Sequence, residues 1–174
     1  MSNAYHKAVG NRGMLDRLIA KLPGYRGYID RDARQEADRL QREFVANRLF
    51  GEKSTVSEAM DALMMGGDLS RLPDLERVNK RLDTVAQKIR AASYGSASLF
   101  GASSIGEEEL RRLHEFDIGL VDAADEVKAE LGELVKAVEE TDKLNAKLRD
   151  VRALLDRVEE HFKRRADIIA RGTA

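Results

Sequence analysis

Cysteine is absent from this 174-residue chain. That excludes disulfides, thiolate zinc sites, iron–sulfur clusters and thiol nucleophiles, and it suits a reducing compartment such as the cytoplasm. Aromatic residues are scarce at 5%, too few for a thick core. Neither sign of charge dominates: Lys and Arg number 30 against 31 Asp and Glu, so nothing pulls the whole molecule towards nucleic acid or anionic lipid. No apolar run approaches the roughly 20 residues that a membrane-spanning helix needs. The first residues lack the apolar core of a signal peptide. The expectation is a cytoplasmic protein with no transmembrane segment.

What the chain does have is charge in quantity and apolar residues in register. Charged residues make up 35%, above the usual quarter. Together with few aromatics and clean periodicity, this composition describes helices that bury narrow stripes of Leu and Val.

Residues 1–13 are weakly patterned and read as a mobile arm. A helical region is expected over 14–67. Leu15, Leu18, Ile19 and Leu22 keep helical spacing until Pro23-Gly24 stops them. After the turn at residues 24–28, Ala33, Ala37, Leu40, Phe44 and Leu49 share one face, and Gly51 ends that helix. Thr55 and Glu58 have the spacing of a capping box before a short helix with Val56, Ala59, Met60, Leu63 and Met64, closed by Gly66-Gly67.

Residues 68–174 predict a three-helix coiled-coil bundle, with helices at 72–92, 105–140 and 142–171. Pro73 suits a first helical turn. Leu75, Val78, Leu82, Val85, Ile89 and Ala92 then alternate by three and four, the spacing of a coiled-coil seam. The middle helix carries Leu110, Leu113, Leu120, Ala124, Val127, Leu131, Leu134 and Val138, with Asp117 in the stripe position between Leu113 and Leu120. The last carries Leu144, Leu148, Val151, Leu155, Val158, Phe162 and Ile169. Between Val138 and Leu144 the seam takes two steps of three. That is either a stammer in one long helix or a corner between two, and charge favours the corner. Residues 107–140 hold 12 acids and 4 bases, residues 143–171 hold 9 bases and 5 acids, and residues 74–90 hold 5 bases and 3 acids. An acidic helix suits two basic neighbours, although each exposed pair contributes under about 1 kcal/mol.

No catalytic arrangement emerges. A carboxylate-bridged metal site in a bundle needs Glu three residues before His, but His114 follows Arg111 at that offset and His161 follows Val158. Nor does any serine have a recognisable histidine partner. No catalytic, metal or cofactor residue is therefore expected, and the chain reads as a non-enzyme.

The candidates for binding are of three kinds. Tyr94, Leu99 and Phe100 lie in a Gly/Ser-rich loop, where apolar side chains must tuck against the bundle or meet a partner. Tyr25, Arg26 and Tyr28, with Arg31 beyond them, join aromatics to cations, which is what single-stranded nucleic acid needs. Gly10-Asn11-Arg12-Gly13 and Gly24-Tyr25-Arg26-Gly27 also match the loop of one RNA-binding module, but the strands of that module are missing. Lys163, Arg164 and Arg165 form a basic run near the last helix's C-terminus, favoured there by the helix dipole and available to phosphate or lipid headgroups. Met60, Met64 and Met65 have the flexible thioethers of an adaptable surface, but more often such residues fill gaps in a core.

The segments Leu22-Pro23-Gly24-Tyr25-Arg26-Gly27-Tyr28, Ala92-Ser93-Tyr94-Gly95 and Leu113-His114-Glu115-Phe116-Asp117 resemble a group of uncharacterised bacterial helical, coiled-coil proteins of no named family. The resemblance implies an all-α fold and association with membrane-associated scaffold proteins, and it supplies no catalytic residue. The leading expectation is an all-α scaffold or adaptor that binds a protein partner or itself. The alternative is a surface for nucleic acid or anionic membrane, built from Arg26, Arg31, Lys163, Arg164 and Arg165.

Overall fold

The structure, a computed structural model, describes residues 34–92 and 107–171. The described chain is all-α: α1 (Arg34–Gly51), α2 (Lys53–Gly66), a 3₁₀ turn (Leu69–Arg71), α3 (Leu72–Ala91), α4 (Glu107–Lys136) and α5 (Thr141–Arg171).

The helix boundaries follow from local chemistry. A single residue, Glu52, separates α1 from α2, and the backbone bond from Val56 N–H to the Glu52 carbonyl starts the second helix at once. The box expected of Thr55 and Glu58 does not form, because the helix has already begun; the Thr55 hydroxyl instead donates to the Glu52 carboxylate at 3.1 Å. Gly67, at φ +78°, closes α2. Its N–H reaches the Met64 carbonyl at 3.2 Å and that of Asp68 reaches Leu63 at 3.1 Å, a Schellman motif that requires the left-handed conformation glycine adopts without cost. Asp68 then caps the 3₁₀ turn by accepting from the Ser70 N–H, and Pro73 occupies the first turn of α3.

Residues 107–171 fold as a hairpin. After Lys136 the chain tightens into 3₁₀-type bonds, from Val138 N–H to the Val135 carbonyl and from Glu140 N–H to that of Ala137, before α5 begins. The corner needs neither Gly nor Pro. Its two sides are antiparallel, since Lys147 pairs with Glu130 and Arg157 with Glu126.

Other pairs fix the remaining directions. Arg152 meets Asp74 and Lys88 meets Glu159, so α3 runs parallel to α5. Lys53 meets Asp83, so α2 is antiparallel to α3. Arg48 meets Asp125, so α1 is parallel to α4. The result is four walls in the order α1/α2, α3, α5, α4, with α4 returning to α1/α2. No Cα of α3 comes within 8 Å of one in α4. The acidic α4 therefore flanks basic α5 but not basic α3, and its other neighbours are α1 and α2.

One apolar core runs through all four walls. It includes Val45 and Leu49 from α1, Val56, Ala59 and Leu63 from α2, the Leu75–Val78–Leu82–Val85–Ile89 seam of α3, and the facing seams of α4 and α5. Burying each such Leu, Val or Ile contributes about 1.5–3 kcal/mol before conformational entropy is deducted. The exterior pairs add specificity more than stability.

Candidate interaction surfaces

The bundle has two chemically opposite ends. At one, the beginnings of α1 and α4 meet the last turns of α5 around a buried guanidinium. Arg165 is 0% exposed. Its Nε donates to Asp117 Oδ1 at 2.5 Å, and its Nη2 lies 2.7 Å from Asp38 Oδ1 and donates to Gln41 Oε1 at 3.0 Å. Asp117, Asp38 and Gln41 are themselves buried. The half-buried Arg42 donates to Asp38 Oδ2 at 2.9 Å. Two cations thus face two anions across three helices, which is the condition for keeping charge inside. Burial pushes the Asp117 carboxyl above its ordinary value, and the adjacent Arg165 guanidinium pulls against that rise.

One turn along, His161 stands half-buried over Phe116, with ring centroids 4.9 Å apart. Its Nε2 is 3.1 Å from the Phe116 carbonyl. A neutral ring can make this bond only with its proton on Nε2. Burial lowers the His161 pKa, so neutrality is favoured. The imidazole comes this close because residue 119 is glycine: a Cβ there would sit 2.6 Å from His161 Nε2.

Midway along the α3–α5 face, Glu159 receives Arg81 at 2.6 Å and Lys88 at 2.8 Å, with Lys163 at 3.5 Å. Lys88 and Arg81 hold its carboxyl down at about 2, against the opposing effect of burial. This is one acid shared among three cations, and it ties α3 to α5.

At the other end, the α2–α3 and α4–α5 turns lie side by side. An open groove of about 540 Å³ runs between them, lined by Ala62, Leu63, Met65, Gly66, Asp68, Val138, Glu139 and Thr141. On and beside its lip, Met64 is 49%, Met65 91% and Leu69 60% exposed. Of the three methionines, Met60 alone packs against the core; the core position expected for the other two is corrected here. Gly67 turns the chain just beyond them, and among the described residues no helix covers that side.

The expected binding residues fall differently. Tyr25, Arg26, Tyr28, Arg31, Tyr94, Leu99 and Phe100 lie outside the described residues. Lys163 and Arg164 are exposed, but each reaches the acid one turn back, Glu159 and Glu160 respectively. Arg165 is not a surface residue at all, so the basic run of three is a surface pair plus a buried anchor. Among the described residues, no three His, Asp or Glu side chains converge as they would to hold a metal ion, and no helix is long and apolar enough to cross a membrane.

For Met64 and Met65 the adaptable-surface reading holds over core filling, and the buried α2 stripe Val56–Ala59–Leu63 leaves both off its line. Compared with protein-family models, with curated proteins and with solved structures, the chain gives no match.

Proposed function

We propose that this protein is a non-enzymatic helical scaffold or adaptor that works by binding a protein partner or a second copy of itself. The observation that carries the reading is the apolar end of the bundle. Large side chains from Met64 to Leu69 stand in water beside a groove, while the seams of all four walls are closed. Exposed apolar clusters rimmed by polar residues mark interaction sites, and thioethers adapt to varied contacts. The cysteine-free composition supports placing the protein in the cytoplasm, and the resemblance to bacterial coiled-coil proteins supports a membrane-associated scaffold as the partner's class.

The test is covalent crosslinking in extract of the source cells, followed by affinity capture, with light scattering of the purified chain alongside. The expected result is either a reproducible crosslinked partner or a mass above the monomer that rises with concentration. A chain that stays monomeric at high concentration and crosslinks to nothing overturns the proposal.

A further inference from the structure

We infer that the turn end of the bundle docks a basic amphipathic helix from a protein partner. The inference rests on the adaptor reading and adds the place and the chemistry of the occupant. The apolar face of that helix would lie against Met64, Met65 and Leu69, and its Lys and Arg side chains would reach the carboxylates around them.

The carboxylates supply the argument. Glu58 and Asp61 lie two turns and one turn before Met65 on α2, at spacings of three and four that place them on its face. Both are exposed. Asp68 and Glu139 line the groove itself, and Asp142 stands in the first turn of α5. No described cation forms a salt bridge with Glu58, Asp61, Glu139 or Asp142. The nearby cations are already engaged, Lys136 with Glu133, Lys143 with Glu140, and Arg71 with the Asn145 side-chain oxygen. Elsewhere several exterior acids are matched across helices, as Asp74, Asp83, Asp125 and Glu126 are. This end therefore presents a net negative rim beside an apolar strip.

That combination selects among occupants. A negative rim repels anionic lipid headgroups and nucleic acid at short range. It attracts a cationic partner and sets its orientation. An apolar strip beside a groove, edged by one sign of charge, is the receiving half of helix-in-groove recognition.

The experiment uses the full chain and three probes: a fluorescent Leu/Lys amphipathic helical peptide, a Leu/Glu peptide with the same apolar face, and vesicles of anionic lipid. Anisotropy should show saturable binding of the Leu/Lys peptide that weakens as salt is raised, with the Leu/Glu peptide at least about tenfold weaker. Met64→Ser with Met65→Ser should weaken the Leu/Lys peptide about tenfold or more, and so should Asp61→Lys with Glu139→Lys. Both variants should keep the parent's helical circular dichroism and melting. Equal binding of the two peptides, undiminished binding by either variant, no binding, or preference for the vesicles each overturns the inference. A crosslinked partner seated away from α2 also overturns it while leaving the adaptor reading intact. The absence of any partner or self-association removes the adaptor reading itself.

Discussion

The two ends of this bundle invert each other. Where α1, α4 and α5 meet, charged groups are inside: Arg165, Asp117 and Asp38 are sealed from water. Where the two turns meet, apolar groups are outside: Met65 is almost wholly exposed. In the first arrangement each buried charge has an opposite one at bonding distance, and its chief effect is to fix how three helices register. The second is open, since Met65 and Leu69 stand mostly in water and Met64 stands half in it. Stability lies with the closed end, and the capacity for new contacts lies with the open one.

Breaking the closed end should have the largest effect. Arg165→Met leaves the Asp117 carboxylate buried without its cation, while Asp38 keeps Arg42, and should cost about 3–5 kcal/mol, read from urea unfolding. Removing Asp117 as well, by Leu, should restore most of that loss, because the penalty belongs to the unmatched charge rather than to the missing pair. An uncompensated double variant would mean that the network itself supplies the stability.

A smaller effect is expected between the ends. Glu159→Gln should cost about 1–2 kcal/mol by removing a carboxylate shared by Arg81 and Lys88. The sign of its pH dependence follows from a folded pKa of about 2, lowered from 4.5. The contribution is fully present above the ordinary carboxylate value and is lost as pH falls from there through about 2. Stability of the parent and the variant should therefore converge in acid and separate above pH 5, as denaturation at several pH values will show.

Smaller still is the Gly119–His161 contact. Gly119→Ala gains helix propensity of up to about 1 kcal/mol but displaces the imidazole from the Phe116 carbonyl, so alone it should be near neutral. In a His161→Ala background the same change should stabilise by about 0.5–1 kcal/mol, a coupling that a double-mutant cycle reads directly. At the open end, Met64→Ser and Met65→Ser should alter stability by no more than about 0.5 kcal/mol. A large loss there would erase the contrast between the ends.

Much of the architecture was legible where a seam is spelled entirely in apolar letters. The α3 seam and the apolar positions of α5 through Phe162 are buried as their spacing implies. So are Leu113 and the α4 positions from Leu120 onwards. What spacing does not supply is the partner of a polar residue standing in the same register, as Asp117 visibly does. Arg165 continues Leu155–Val158–Phe162 by another step of three, and Asp117 fills the gap between Leu113 and Leu120. In α1 the inward face is Asp38, Gln41, Val45 and Leu49: Leu49 is buried as its spacing implies, whereas Leu40 and Phe44 are only partly so. Each misfit is explained by the others, because the cation on one seam meets the anions on the other two. A reading that scores one helix at a time cannot register that match. The apolar end was hidden for a related reason: methionine resembles core filler until the stripe of α2 is drawn and Met64 and Met65 are found beside it.

The most direct measurement is limited peroxide oxidation with mass spectrometry of Met60, Met64 and Met65, performed on the dilute purified chain and again in extract of the source cells. In the purified chain Met64 and Met65 should oxidise fast and Met60 slowly; in extract, Met64 and Met65 should become protected while Met60 is unchanged. Equal oxidation of Met64 and Met65 in the two settings would contradict an interaction surface at the turn end.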